Sequence, residues 1–132
     1  MYLAESVAAV IEVKSDVAAQ WDEAVATATK LEPLRREFGA TMTMGPAPLD
    51  RIPIFVAGYH GWKQVDVVKS KLGEAPIDGI LVIDPGIFVS TGHFGGITAT
   101  GSWSLWGLIC CLHQATSTLQ AASTHPLSYA VK

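Results

Sequence analysis

Short continuous apolar runs alternate along the chain with stretches in which apolar positions recur every three or four residues. Residues 3 to 14 end in Val-Ile-Glu-Val-Lys, β-branched and apolar, which predicts a strand buried on both sides. Ser15 and Asp16 are helix-capping types. After them Val17, Trp21, Ala24, Ala28 and Leu31 fall at helical spacing, predicting a helix over 16–31 that Glu32-Pro33 breaks. Gly39, Gly45, Pro46 and Pro48 mark residues 39 to 51 as a loop. A second buried strand is expected over Ile52 to Tyr59, with Pro53 at its first turn or edge. Val65, Val68 and Leu72 form the inner stripe of a helix over 62–72, stopped by Gly73. Gly79 to Asp84 reads as a third strand and Ile87 to Ser90 as a fourth. Asp84-Pro85-Gly86 between them makes a hairpin, Pro presetting the first central position and Gly accepting a positive φ. Gly92 to Gly96 is a further turn and Ile97 to Thr100 a short strand. Ser102 caps a last helix reaching about 122, buried through Leu105, Ile109, Leu112 and Leu119. The tail, His125 to Tyr129, is irregular.

Strands alternating with helices give an α/β fold, a central mixed sheet flanked by helices. At 132 residues the chain suffices for one domain. It is 49% hydrophobic and 16% charged, with mean hydropathy +0.32, against about 25% charge in ordinary domains. Disorder is excluded by that balance. The most apolar stretch, Trp103 to Leu112, is interrupted by Ser104 and Gly107 and falls short of the roughly 20 residues of a membrane span. Net charge −3 gives no global basic field for nucleic acid, although a contact surface is often only locally basic. Cys110 and Cys111 are adjacent in an apolar helical pattern, as two buried reduced thiols would be, not staples or metal ligands. The first residues have no basic region before an apolar core, so a cytoplasmic protein is expected.

One constellation carries chemistry. Glu12 and Lys14 are two apart on a strand and share a face, with Val7, Ala9, Ile11 and Val13 on the other. A charged pair ending an apolar strand is costly unless it is paired or faces a cleft. Glu-x-Lys there suits metal-dependent phosphodiester cleavage. The carboxylate holds Mg²⁺, which polarises the phosphate and acidifies its water, and the lysine steadies the developing negative charge. The plain alternative is an ion pair at a strand end.

The run Glu5-Ser-Val-Ala-Ala-Val-Ile-Glu-Val-Lys-Ser15, followed by a helix, resembles the third strand of the PD-(D/E)XK, or restriction-endonuclease-like, nucleases. It is more closely similar to a bacterial domain family of unknown function with an "ESV-x-AVIEVKS" strand. Members continue with an amphipathic helix, a strand like Ile52 to Tyr59 and a hairpin like Asp78 to Gly86. The resemblance covers nearly the whole chain and is weakest from 92 to 132. It implies that Glu12 is the metal carboxylate and Lys14 the catalytic lysine, with Gln20 a weak match to a helix glutamine. It also implies a metal-binding Asp on a preceding strand, for which the residues before Glu5 leave no room. Truncation of a nuclease-like domain or a degenerate copy both account for that. Glu5 and Asp84 are the substitute ligands to weigh. Glu5 is about 23 Å from Glu12 on one strand and on the opposite face, and Asp84 is first a turn residue.

Other candidates read as structural. His60, His93, His113 and His125 lack ligand spacing; His60 suits a loop and His113 a partly buried helix position. Gly92-His-Phe-Gly-Gly96 lacks the Gly-Lys-Ser/Thr of a P-loop. Trp21, Trp62, Trp103 and Trp106 suit packing better than base stacking, and Lys63, Lys69 and Lys71 a solvated helix face. The expectation is a nuclease-like domain acting on DNA in bacterial defence or genome maintenance, inactive in this form, or an interaction module that kept the fold. The apolar composition and an uncovered first strand further predict a homodimer, joined through that strand or the Trp103 to Leu119 helix.

Overall fold

The computed structural model describes residues 6–36 and 49–121. Five strands form one mixed sheet in the order β1 (Val10–Asp16), β2 (Ile54–His60), β3 (Gly79–Val82), β4 (Ile87–Ser90) and β5 (Thr98–Thr100). The first three run parallel, and β4 and β5 are antiparallel to their neighbours. Helices α1 (Trp21–Leu31) and α2 (Val65–Leu72) connect the parallel strands, and α3 (Trp103–Ala121) follows β5. The expected α/β architecture is present, and β1 is an edge of the sheet among the described residues.

The two-residue period of the strands sorts the core. Ile54, Val56, Ile80, Val82, Ile87 and Val89 face α1 and α2, where they pack on Val17, Trp21, Ala24, Ala28, Val68 and Leu72. Phe55, Leu81 and Phe88 face α3 and pack on Phe94, Leu108, Cys111 and Ala115. Continuous apolar runs in β2, β3 and β4 thus have a helix on at least one side at every inner position. At the sheet's N-terminal end of β3, Asp78 is fully buried and ion-paired with Arg51.

Several expectations shift. β1 was expected to be buried on both sides. Ile11 is 42% and Val13 72% exposed, because α3 lies over β3, β4 and β5 and stops short of this edge. The first helix starts at Trp21, not near 16, because Asp16 still pairs with His60 in the sheet. Asp16 Oδ1 then accepts the N–H groups of Ala18 and Ala19, spending its capping capacity on the intervening turn. Similarly α2 starts at Val65, and Gly73 after it is right-handed (φ −71°), so its ending uses no positive φ. The hairpin forms as expected, with Gly86 at φ +98°. The largest correction concerns α3. Leu105 and Ile109 are exposed, Leu112 and Leu119 half-buried, and the sheet-facing residues are Ser104, Gly107, Leu108, Cys111 and Ala115. Small residues face inward because the helix lies close on Phe88: a Cβ at Gly107 would come within 2.6 Å of its ring. His113 is also exposed, its Nε2 3.4 Å from Ser117 Oγ, not partly buried. Among the described residues no helix is long and apolar enough to cross a membrane.

Candidate functional site

The site is built by β1 and the first turn of α1. Glu12 pairs with Val56 and Lys14 with Gly58, so both side chains point to the α1 side of the sheet. The end of β1 is drawn tightly onto β2: a Cβ at Gly58 would sit 2.8 Å from that of Val17, so only glycine admits this approach. Lys14 Nζ lies 2.9 Å from Glu12 Oε1 and 3.1 Å from Glu23 Oε2. Lys14 and Glu12 are mostly covered, with 14% and 24% of their side chains exposed, whereas Glu23 is 64% exposed. The hydrogen bonds of Glu12 first, and of Glu23 second, raise the lysine above its usual 10.5 against the opposing effect of desolvation. Lys14 is therefore held as a cation between two carboxylates.

Charge is thus on the covered face of β1 and the apolar side chains Ile11 and Val13 are on the open face, the reverse of an ordinary edge strand. Glu23 was missed from sequence. Its signal was present: an acidic residue in the first turn of the helix following the Glu-x-Lys strand. Gln20 lies at the same end but is engaged, its Oε1 accepting the Ser15 hydroxyl and the Asp16 N–H.

The remaining candidates are elsewhere. Asp84 is exposed beside His60, with Oδ2 3.7 Å from Nδ1, and His60 is the last residue of β2 instead of a loop residue. Glu5 and His125 lie outside the described residues. Trp21 and Trp62 make a T-shaped pair 5.3 Å between ring centres, while Trp103 and Trp106 are exposed. Cys110 and Cys111 are free thiols, the second buried and pushed up to about 11 by desolvation.

Among the described residues no group of three or more His, Cys, Asp or Glu is placed to hold a metal. Mg²⁺ is ordinarily bound by one or two carboxylates together with substrate phosphate in near-octahedral geometry. Glu12 supplies one such carboxylate, and the cation already beside it is Lys14. These residues by themselves leave the coordination of a Mg²⁺ incomplete. No family model, curated protein or solved structure matches the chain.

Proposed function

We propose that the chain is a nuclease-like domain related to metal-dependent DNA phosphodiester hydrolases, with a role in bacterial defence or genome maintenance in the cytoplasm. It carries the carboxylate–lysine half of a site, Glu12 and Lys14, and does not cleave DNA by itself. The observation that carries this reading is the 2.9 Å pair of Glu12 and Lys14 on one face of a parallel edge strand that leads into a helix and the next parallel strand. Such a pair supplies a metal-binding oxygen and a cation for the developing phosphate charge, once a second acidic group completes the coordination. Manganese titration followed by NMR tests it. Paramagnetic broadening centred on residues 10–16, lost in Glu12→Gln, supports the half-site, and broadening elsewhere or none overturns it. DNA cleavage above background that vanishes in Glu12→Ala would overturn the claim of inactivity.

A second reading is favoured by a separate observation. Ile11 and Val13 are exposed on a sheet edge that is unpaired among the described residues, which suits a non-catalytic interaction module whose partner is a second copy of the chain. Concentration-dependent mass by light scattering tests that module directly. A monomer of 14.0 kDa at tens of micromolar would remove it.

A further inference from the structure

We propose that two copies join through β1, antiparallel and in one register, with the two-fold axis passing through Val13. The inference rests on the interaction-module reading and gives it a partner surface.

The hydrogen-bonding direction of β1 comes first. The N–H of Val10 donates to the carbonyl of Pro53, so Val10 faces β2. In a strand the direction alternates, so Glu12 and Lys14 also face β2 through their backbone groups, while Ile11, Val13 and Ser15 turn theirs outward. Those three residues form the open edge. A second antiparallel β1 offers the same three groups, and pairing Val13 with the partner's Val13 sets Ile11 opposite the partner's Ser15. Val13 is the central residue of β1, so this register matches the strand to itself from Val10 to Asp16.

Side-chain charge then selects the register. A two-fold axis normal to the sheet keeps faces together, so only registers that shift the pairing by whole pleats are allowed. With the axis at Val13, Glu12 lies opposite the partner's Lys14 and Lys14 opposite the partner's Glu12. These are non-hydrogen-bonded positions, where opposed side chains approach most closely. Moving the axis to residue 12 opposes two glutamates, and moving it to residue 14 opposes two lysines. Only the central register is electrostatically complementary and full length. On the other face it brings Val13, 72% exposed, against the partner's Val13, with Ile11, 42% exposed, diagonal to that residue and opposite the partner's Ser15. The product is one continuous ten-stranded sheet with both α1 helices on one side.

Two sets of variants test the seam on the full chain. Val13→Pro removes an N–H that points away from β2 and has no backbone partner among the described residues. Proline is tolerated at such an edge position. The expected result is a wild-type particle of twice the chain mass and a folded, monomeric Val13→Pro. The second set uses Glu12→Lys and Lys14→Glu in separate chains. Each alone opposes like charges across the seam and weakens self-association by about tenfold. Mixed, they oppose unlike charges again and form a one-to-one heterodimer, which a purely structural role of the two residues would not produce. This set decides the matter if Val13→Pro fails to fold. A dimer unaffected by Val13→Pro and by the charge changes overturns the β1 seam while leaving the interaction module standing. A wild-type monomer overturns both.

Discussion

Arg51 grips the fully buried Asp78 with both ends of its guanidinium, Nη1 lying 2.8 Å from Oδ2 and Nη2 2.5 Å from Oδ1. The same Oδ2 accepts the N–H of Ile54 at 2.9 Å, and the backbone of Asp78 donates to the carbonyl of Ile54. One carboxylate therefore ties the segment entering β2 to the start of β3. Its hydrogen bonds also raise Arg51 above its ordinary value, so the guanidinium keeps its charge.

The two partners differ in burial, which makes their removal unequal. Arg51 keeps 24% of its side chain in solvent, whereas Asp78 keeps none. Arg51→Ala strands a buried carboxylate and is expected to cost about 3–5 kcal/mol. Asp78→Ala strands a partly solvated cation and one N–H, and is expected to cost less, about 1–3 kcal/mol. Urea denaturation of both variants checks the order, and the reverse order would contradict this account.

Lys14 gives a pH dependence at the alkaline end. Its folded-state value is raised above 10.5 by Glu12 and then Glu23, so the folded chain holds that proton more tightly than the unfolded one. The resulting stabilisation is complete below 10.5 and is lost as pH rises through the folded-state value. Comparing melting temperatures of wild type and Lys14→Met from pH 8 to 11.5 should show the gap between them shrink above about 10.5.

The adjacent cysteines should react very differently. Burial raises the Cys111 thiol from 9.0 to about 11, which suppresses the reactive thiolate, while Cys110 is only half-buried and within reach of a reagent. At pH 8 a thiol reagent should label Cys110 first and Cys111 only on unfolding. Mass spectrometry of Cys110→Ser and Cys111→Ser identifies the fast site.

Gly107 has a packing role that a helix interior does not normally give glycine. Gly107→Ala improves helix propensity by about 1 kcal/mol. It also drives a methyl to 2.6 Å from the fully buried Phe88 ring, an overpacking cost of about 1–3 kcal/mol. The net expectation is destabilisation, and relief in Gly107→Ala/Phe88→Leu would identify the ring as the cause. A more stable single variant would refute the close approach.

The strands were legible because their chemistry is local. Ile54 to Gly58 and Ile80 to Val82 are apolar on both faces, and Asp84-Pro85-Gly86 can only turn. Element starts were less legible because competing caps overlapped: Ser15 and Asp16 suggested a helix start, but the sheet held Asp16 to His60. The inward face of α3 was not legible at all. Trp103, Leu105, Trp106, Leu108, Ile109 and Leu112 surround the helix, so periodicity selected no face, and the decisive contact was the absence of a side chain at Gly107. For the site, Glu12 and Lys14 followed from strand parity, but Glu23 reaches Lys14 only because the turn at 17–20 sets where α1 begins.

The four tryptophans divide into two pairs with opposite surroundings. Trp21, at the start of α1, is buried in a T-shaped contact with the half-buried Trp62 on the α1 and α2 side of the sheet, and Trp103 and Trp106 stand in solvent on α3. The chain thereby carries its own optical probes. Iodide reaches the α3 pair first, so the quenched and unquenched parts of the emission spectrum report separately on the two faces of the sheet.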